Sequence, residues 1–99
     1  MIRFVQFTEE AKADLSESFG FYQSREYGLG VEFVNCVESR IEVIKRHPEM
    51  YPIAVDSYRR ALVKRFPYEL FYEVEDETLW IYAVFHCSQN PEKWKRRLR

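Results

Sequence analysis

The residues of this chain best suited to chemistry are cations beside aromatic rings. Arg59, Arg60, Lys64 and Arg65 crowd one short segment that alternates loosely from Arg59 to Phe66. On the two-residue period of a strand, Arg60 and Lys64 share one face while Arg59 and Arg65 share the other. Cations flanked by rings can hold phosphate or carboxylate groups; the plainer alternative is a solvated face paired to Glu69 or Glu73. His86 follows the apolar run Leu79 to Phe85. There it would be a general base, an RNA-stacking ring, or a strand-end histidine satisfied by a backbone carbonyl. The tail Trp94-Lys95-Arg96-Arg97-Leu98-Arg99 joins one large ring to four cations. It suits docking on an acidic partner or on nucleic acid, or it is a frayed basic terminus with Trp94 tucked onto a sheet.

Other chemistries have no support. His47 and His86 lack the spacing of paired metal ligands, and there is no P-loop, GxGxxG or nucleophile elbow. Cys36 and Cys87 lack metal-ligand spacing and read as reduced thiols. The expectation is no metal and no cofactor. The net charge of −1 gives no global field for nucleic acid, but its distribution is uneven. Residues 1–50 hold six Lys/Arg against nine Asp/Glu, and residues 51–99 hold nine against seven; the last nine residues set five cations against Glu92 alone.

These residues must be positioned by a small fold. At 99 residues, two domains would leave neither with an adequate core, so a single domain over 1–99 is expected. The composition, 46% hydrophobic and 31% charged, is globular. The 17% of aromatic residues implies a filled core, a ring-rich contact surface, or both. No apolar run approaches a membrane span, and Met1-Ile2-Arg3-Phe4 is too short and mixed for a signal peptide, so the chain reads as cytosolic.

Residues 2–7 predict a short strand. Thr8 reads as an N-cap, with Glu9 and Glu10 in the first turn. Ala11, Leu15, Phe19 and Tyr22 then recur at intervals of 4, 4 and 3, as do Phe33, Val37, Ile41 and Ile44. These stripes predict helices over about 8–27 and 31–46, broken at Gly28-Leu29-Gly30 and stopped before Pro48. Tyr51 to Val55 reads as an edge strand because Pro52 cannot donate a ladder bond. A strand with Tyr68, Leu70, Tyr72 and Val74 on one face follows, then a polar turn. Leu79 to Phe85, apolar throughout, reads as a strand covered on both faces. Asn90-Pro91 opens a short last helix. The fold class is α+β: a helical hairpin on a mostly antiparallel sheet formed largely by 59–88, with a short C-terminal helix. Leu15, Phe19, Phe33, Val37, Ile41, Ile81 and Ala83 are expected to be buried.

The set Arg59-Arg60, Phe66-Pro67-Tyr68-Glu69-Leu70-Phe71-Tyr72, His86, and Asn90-Pro91-Glu92-Lys93-Trp94 resembles the ParE branch of the RelE/ParE toxin superfamily. Asp14-Leu15, Leu29-Gly30 with Phe33, and Ile44 with Pro48 extend the likeness over nearly the whole chain. The resemblance implies the fold above and the toxin half of a type II toxin–antitoxin, or plasmid stabilization, system. It implies a cognate antitoxin as partner, with a groove between hairpin and sheet to receive an amphipathic antitoxin segment. It further implies a non-catalytic inhibitor of DNA gyrase, with no membrane association and no sequence-specific DNA binding by the toxin alone. Target contacts are then expected from Arg59, Arg60, Trp94, Lys95, Arg96, Arg97 and Arg99.

The alternative branch, RelE-type toxins, cuts mRNA on the ribosome; here that activity would use Arg60, Lys64, Arg65 and His86. Against it stand Glu69 and Gln89, where that branch carries arginines, and Trp94, the ring nearest its C-terminal Tyr, which cannot transfer a proton. Gln89 also departs from many ParE relatives, which leaves a non-toxic remnant of the family as a third reading.

Overall fold

The computed structural model describes residues 1–98. Along the chain run β1 (Phe4–Phe7), α1 (Glu9–Arg25), α2 (Leu29–Arg46), β2 (Ile53–Val55), β3 (Tyr58–Leu62), β4 (Tyr68–Glu75), β5 (Thr78–His86) and α3 (Pro91–Arg97). The five strands form one sheet in the order β1-β5-β4-β3-β2. Every pairing is antiparallel except β1 with β5, which are parallel. The α+β architecture expected from the sequence is the one observed.

The helices form for the reasons their ends suggest. The Thr8 hydroxyl accepts from Ala11 N–H at 3.1 Å, and Glu9 and Glu10 occupy the first turn. The break between helices lies at Glu26–Gly28, two residues earlier than the glycine pair suggests. Gly28 takes φ 90°, and Gly30 is already inside α2. Gly30 is needed for closeness: a Cβ there would meet the Phe19 carbonyl oxygen at 2.7 Å and its ring at 2.9 Å.

The hairpin covers one face of the sheet. Ala11, Phe33, Val37, Ile41 and Ile44 pack on Leu70, Tyr72, Leu79, Ile81 and Val84. The other face carries Phe71, Ala83 and Phe85, closed by Trp94 and Leu98 of the C-terminal segment. The Leu79–Phe85 run is therefore covered on both sides. Strand alternation is broken once: Phe71 pairs with Ala83 but Tyr72 with Ile81, leaving Tyr82 as an extra residue in β5. This bulge puts Tyr82 and Ala83 on the same face, toward α3. Of the residues expected inside, Phe33, Val37, Ile41, Ile81 and Ala83 are buried, whereas Leu15 and Phe19 are half-buried. They lie where the hairpin reaches past the sheet.

The segment Arg59 to Phe66 is not one strand. β3 ends at Leu62, and the chain bends through Arg65, whose φ is 76°. Arg60 and Lys64 consequently do not share a strand face. Substitution Gly30→Ala should force the two helices apart and lower stability by about 1–3 kcal/mol, the usual cost of overpacking, read as a lower urea midpoint with an unchanged slope.

Candidate functional site

β5 outruns its neighbour. β1 ends at Phe7 while β5 continues to His86, so the β5 backbone beyond Ile81 has no strand on that side. Side chains replace the strand. Thr8 N–H donates to Ile81 O at 3.0 Å. Val84 N–H donates to Asp14 Oδ2 at 3.0 Å. Arg97 grips the same carboxylate with both terminal nitrogens, at 2.6 and 3.2 Å, and its Nη1 also reaches Tyr82 O at 3.3 Å. The guanidinium lies over the Phe85 ring, 4.6 Å from its centroid. Asp14 and Arg97 are only 14% and 23% exposed. One carboxylate thus closes a sheet edge and holds the terminal helix, in a geometry where bidentate pairing is strong.

That arrangement divides the tail. Trp94 is buried and stacks on Phe71, with ring centroids 4.8 Å apart. Arg97 faces inward. Lys95 and Arg96 face outward, Lys95 within 4.0 Å of Glu92. Arg99 lies outside the described residues.

The strand cations are dispersed as well. Arg59 sits opposite Tyr72 on the hairpin face and donates to the carbonyls of Tyr51, at 2.6 Å, and Glu49, at 3.3 Å, bracing the loop before β2. Arg60 sits opposite Phe71 on the α3 face, and its Nε lies 3.4 Å from Glu69 Oε1. Burial pushes the Glu69 carboxyl above the usual carboxylate range, and Arg60 only partly opposes this. Arg65 pairs with Glu32 of α2 at 3.1 Å. Lys64 is exposed and lines a recess shared with Ser39 and Arg40 of α2.

His86 lies on the hairpin face with its ring 5.1 Å from that of Tyr68. Its Nδ1 accepts from Ser88 N–H at 3.0 Å, so of the three sequence readings the strand-end histidine comes nearest, with a backbone amide in place of the carbonyl. Gln89 Oε1 accepts from His86 N–H at 3.1 Å and ties off the strand end. Arg60 and His86 are therefore on opposite faces of the sheet.

A different feature is assembled. Val5, Phe7, Leu15, Phe19 and Val34 line an open groove of about 440 Å³ between β1 and the two helices. It continues along α2 to Val37 and Ile41 through a further recess of about 340 Å³. Lys12, Ser16, Glu38 and Glu42 supply a polar rim. β1 is the edge strand here, with one side unpaired. An apolar trough beside a free strand edge suits a helix or strand from a partner. The half-burial of Leu15 and Phe19 was not legible from their stripe, because helical periodicity does not show how far a sheet extends.

A helical hairpin on an antiparallel sheet, edged by a parallel strand and an apolar groove, is the architecture of the RelE/ParE toxins. The family model for the ParE toxin of the type II toxin–antitoxin system parDE matches residues 5–91, and the chain belongs to that family. It is similar in fold to a chain of the chromosomal ParDE system of P. aeruginosa, with 16% identity and a TM-score of 0.74, over 86% of this chain and 96% of that one. It is also similar to the isolated E. coli RelE toxin, with 13% identity and a TM-score of 0.59, over 97% and 98%. No curated protein sequence matches it.

Two outcomes follow from this geometry. Asp14→Asn should cost about 3 kcal/mol, since it leaves the mostly buried Arg97 unpaired. Arg97→Ala should be strongly non-additive with it in a double-mutant cycle of urea unfolding; additive losses would mean the pair does not act as one clamp. For Glu69 the raised pKa means that the fold favours the protonated carboxyl. Its contribution is full at low pH and is lost as pH rises through the folded-state pKa. Glu69→Gln should therefore be more stable than the parent at pH 7, and that advantage should vanish as pH falls into the carboxylate range. Thermal unfolding at a series of pH values measures it.

Proposed function

We propose that this ParE-family toxin acts by occupying a surface of DNA gyrase rather than by cutting RNA, and that its cognate antitoxin segment lies in the β1–α1–α2 groove. The observation that carries the reading is the separation, within the candidate catalytic set, of Arg60 from His86 onto opposite faces of the sheet. Cleavage at a phosphate needs a base, an acid and charge-stabilising donors converging within a few ångströms of one reacting centre. Arg60 is offset by Glu69 on one face, His86 lies against Tyr68 on the other, and Arg65 is held by Glu32. The mostly buried Glu69 carboxylate, poorly screened by solvent, would repel a scissile phosphate held at Arg60.

For target contact, Lys95 and Arg96 on the outer side of α3, with Arg60 on the sheet face beneath, are the cations placed to meet an acidic surface. Trp94 and Arg97 act indirectly, by seating α3. Arg59 faces the other side and braces the loop there, so its expected part in target contact loses support.

Purified protein is expected to inhibit gyrase supercoiling and to leave mRNA intact in a translating extract. Lys95→Ala with Arg96→Ala should weaken inhibition several-fold, more at low salt than at high, as loss of steering charge does. This double variant is a cleaner probe than deleting the tail, which would also remove Trp94 and the Arg97 clamp. Codon-phased cuts that disappear in Arg60→Ala would replace this reading with the nuclease one. Absence of both activities, with no growth arrest, would favour a non-toxic remnant. Independently, Val34→Glu should abolish co-purification with the neighbouring gene product; retained binding would move the antitoxin out of the groove.

A further inference from the structure

The basic segment Arg59–Arg65 leaves one cation, Lys64, that neither the ion pairs among the described residues nor the proposed target contact uses; it lines a cavity with Arg65, which pairs with Glu32, and with Arg40 of α2. Arg40, Lys64 and Arg65 line a cavity of about 370 Å³ together with Cys36, Ser39 and Val43. Cys36, Arg40 and Val43 follow helical spacing along one side of α2, and Lys64 and Arg65 come from the bend between β3 and β4.

Charge is unbalanced here. The Arg40 guanidinium is half-buried against the Tyr51 ring, 5.5 Å from its centroid, and Nη1 donates to the Tyr51 hydroxyl. Its Nε is buried with no hydrogen-bond partner among the described residues. Among the described residues neither Arg40 nor Lys64 is in an ion pair; the cavity's counter-charge is Glu32, which pairs with Arg65 at 3.1 Å with both side chains about half-exposed. A partly buried cation such as Arg40 is ordinarily matched by an anion, whereas Lys64 and Arg65 are exposed.

The backbone shows a second anomaly at the same place. Arg65 has φ 76°, a left-handed conformation that a long side chain adopts only at a cost. That conformation turns the bend back toward α2 and brings Lys64 and Arg65 to Arg40. A strained loop that concentrates like charges is destabilising unless something compensates it.

We infer that this cavity between α2 and the β3–β4 bend is a binding site for a phosphate group, held by Arg40, Lys64, Arg65 and the Ser39 hydroxyl. Three cations and a hydroxyl approaching from two elements match a tetrahedral dianion, whereas a flat carboxylate engages one fork at a time. The volume accommodates a phosphate carrying a small substituent. The phosphate is either the free ion or the terminal group of a small monoester.

The test uses the full chain at pH 7.5, where phosphate is mostly dianionic, and at matched ionic strength. Inorganic phosphate, glycerol 3-phosphate, acetate and chloride are titrated while backbone amide NMR shifts and the unfolding temperature are followed. Either phosphate compound is expected to move the amides of Ser39, Lys64 and Arg65 saturably and to raise the unfolding temperature. Tighter binding of the glycerol ester would identify a monoester ligand, and equal or weaker binding the free ion. Lys64→Gln, at an exposed position that leaves the fold intact, should weaken phosphate about tenfold or more, the scale of one charge-assisted hydrogen bond. Arg40→Gln should do the same if it folds. Equal responses to acetate or chloride, shifts scattered away from the cavity, or undiminished affinity in Lys64→Gln would overturn the inference. No readout involves gyrase or growth, so its failure is distinct from failure of the proposed function.

Discussion

The structure turns on a mismatch of strand lengths. β5 extends past β1, and the exposed backbone of its second half must find partners or remain wet and reactive. Asp14 supplies the acceptor for Val84 N–H and Arg97 a donor for Tyr82 O, and the two side chains are locked to each other. This interaction seals an edge that would otherwise invite another strand. It also fixes α3, whose seven residues are too few to be helical alone. With α3 fixed, Trp94 and Leu98 cover Phe71, Ala83 and Phe85, and β4 and β5 become a buried middle layer. The Tyr82 bulge belongs to the same arrangement, since it places Tyr82 and Ala83 together on the face that α3 closes.

Burial on both sides also sets the character of the polar groups that remain inside. Tyr72 is fully buried, and its hydroxyl donates to Pro48 O at 2.6 Å, tying the end of α2 to the middle of the sheet. Loss of hydration raises its pKa from the ordinary 10 to about 12. The neutral phenol is the form the fold requires, so this contribution is complete below pH 10 and is lost as pH rises toward 12. Glu69 follows the same logic from the carboxylate side. In both cases the position in the sheet, rather than a neighbouring charge, dominates the shift.

Much of this was legible in the sequence, and the failures have physical causes. The order of elements, both helical stripes, the Thr8 cap and the doubly covered last strand follow from local periodicity and capping chemistry, which act over a few residues. The break falls two residues before the centre of the glycine pair because the two glycines serve different purposes: Gly28 for its φ, Gly30 for close approach of α1. Alternation in residue type runs from Arg59 to Phe66, past the end of β3 at Leu62, because the backbone angle at Arg65 that makes the bend leaves no trace in composition. The dispersal of Arg60 and His86 depends on the registers of three strands, which periodicity within one strand does not encode. Asp14 was visible only as part of a family likeness. Its partners lie 70 and 83 residues away, and nothing local marks it as the acceptor for a strand edge.

The two faces of the molecule divide the work of binding, and α1 joins them. The groove lies on the hairpin side, lined by Leu15 and Phe19, whereas Lys95 and Arg96 look out from α3 on the opposite side of the sheet. A partner in the groove therefore leaves those cations uncovered unless it wraps round the β1 edge. Yet Leu15 in the groove is the neighbour of Asp14 in the clamp, on the same turn of α1. Whatever displaces α1 from the sheet acts on the carboxylate that holds Arg97, and so on the seating of α3. A small fold gains a connection between its faces in this way without any dedicated element, because one helix contributes an apolar residue to the groove and, one position earlier, the carboxylate that seals the sheet.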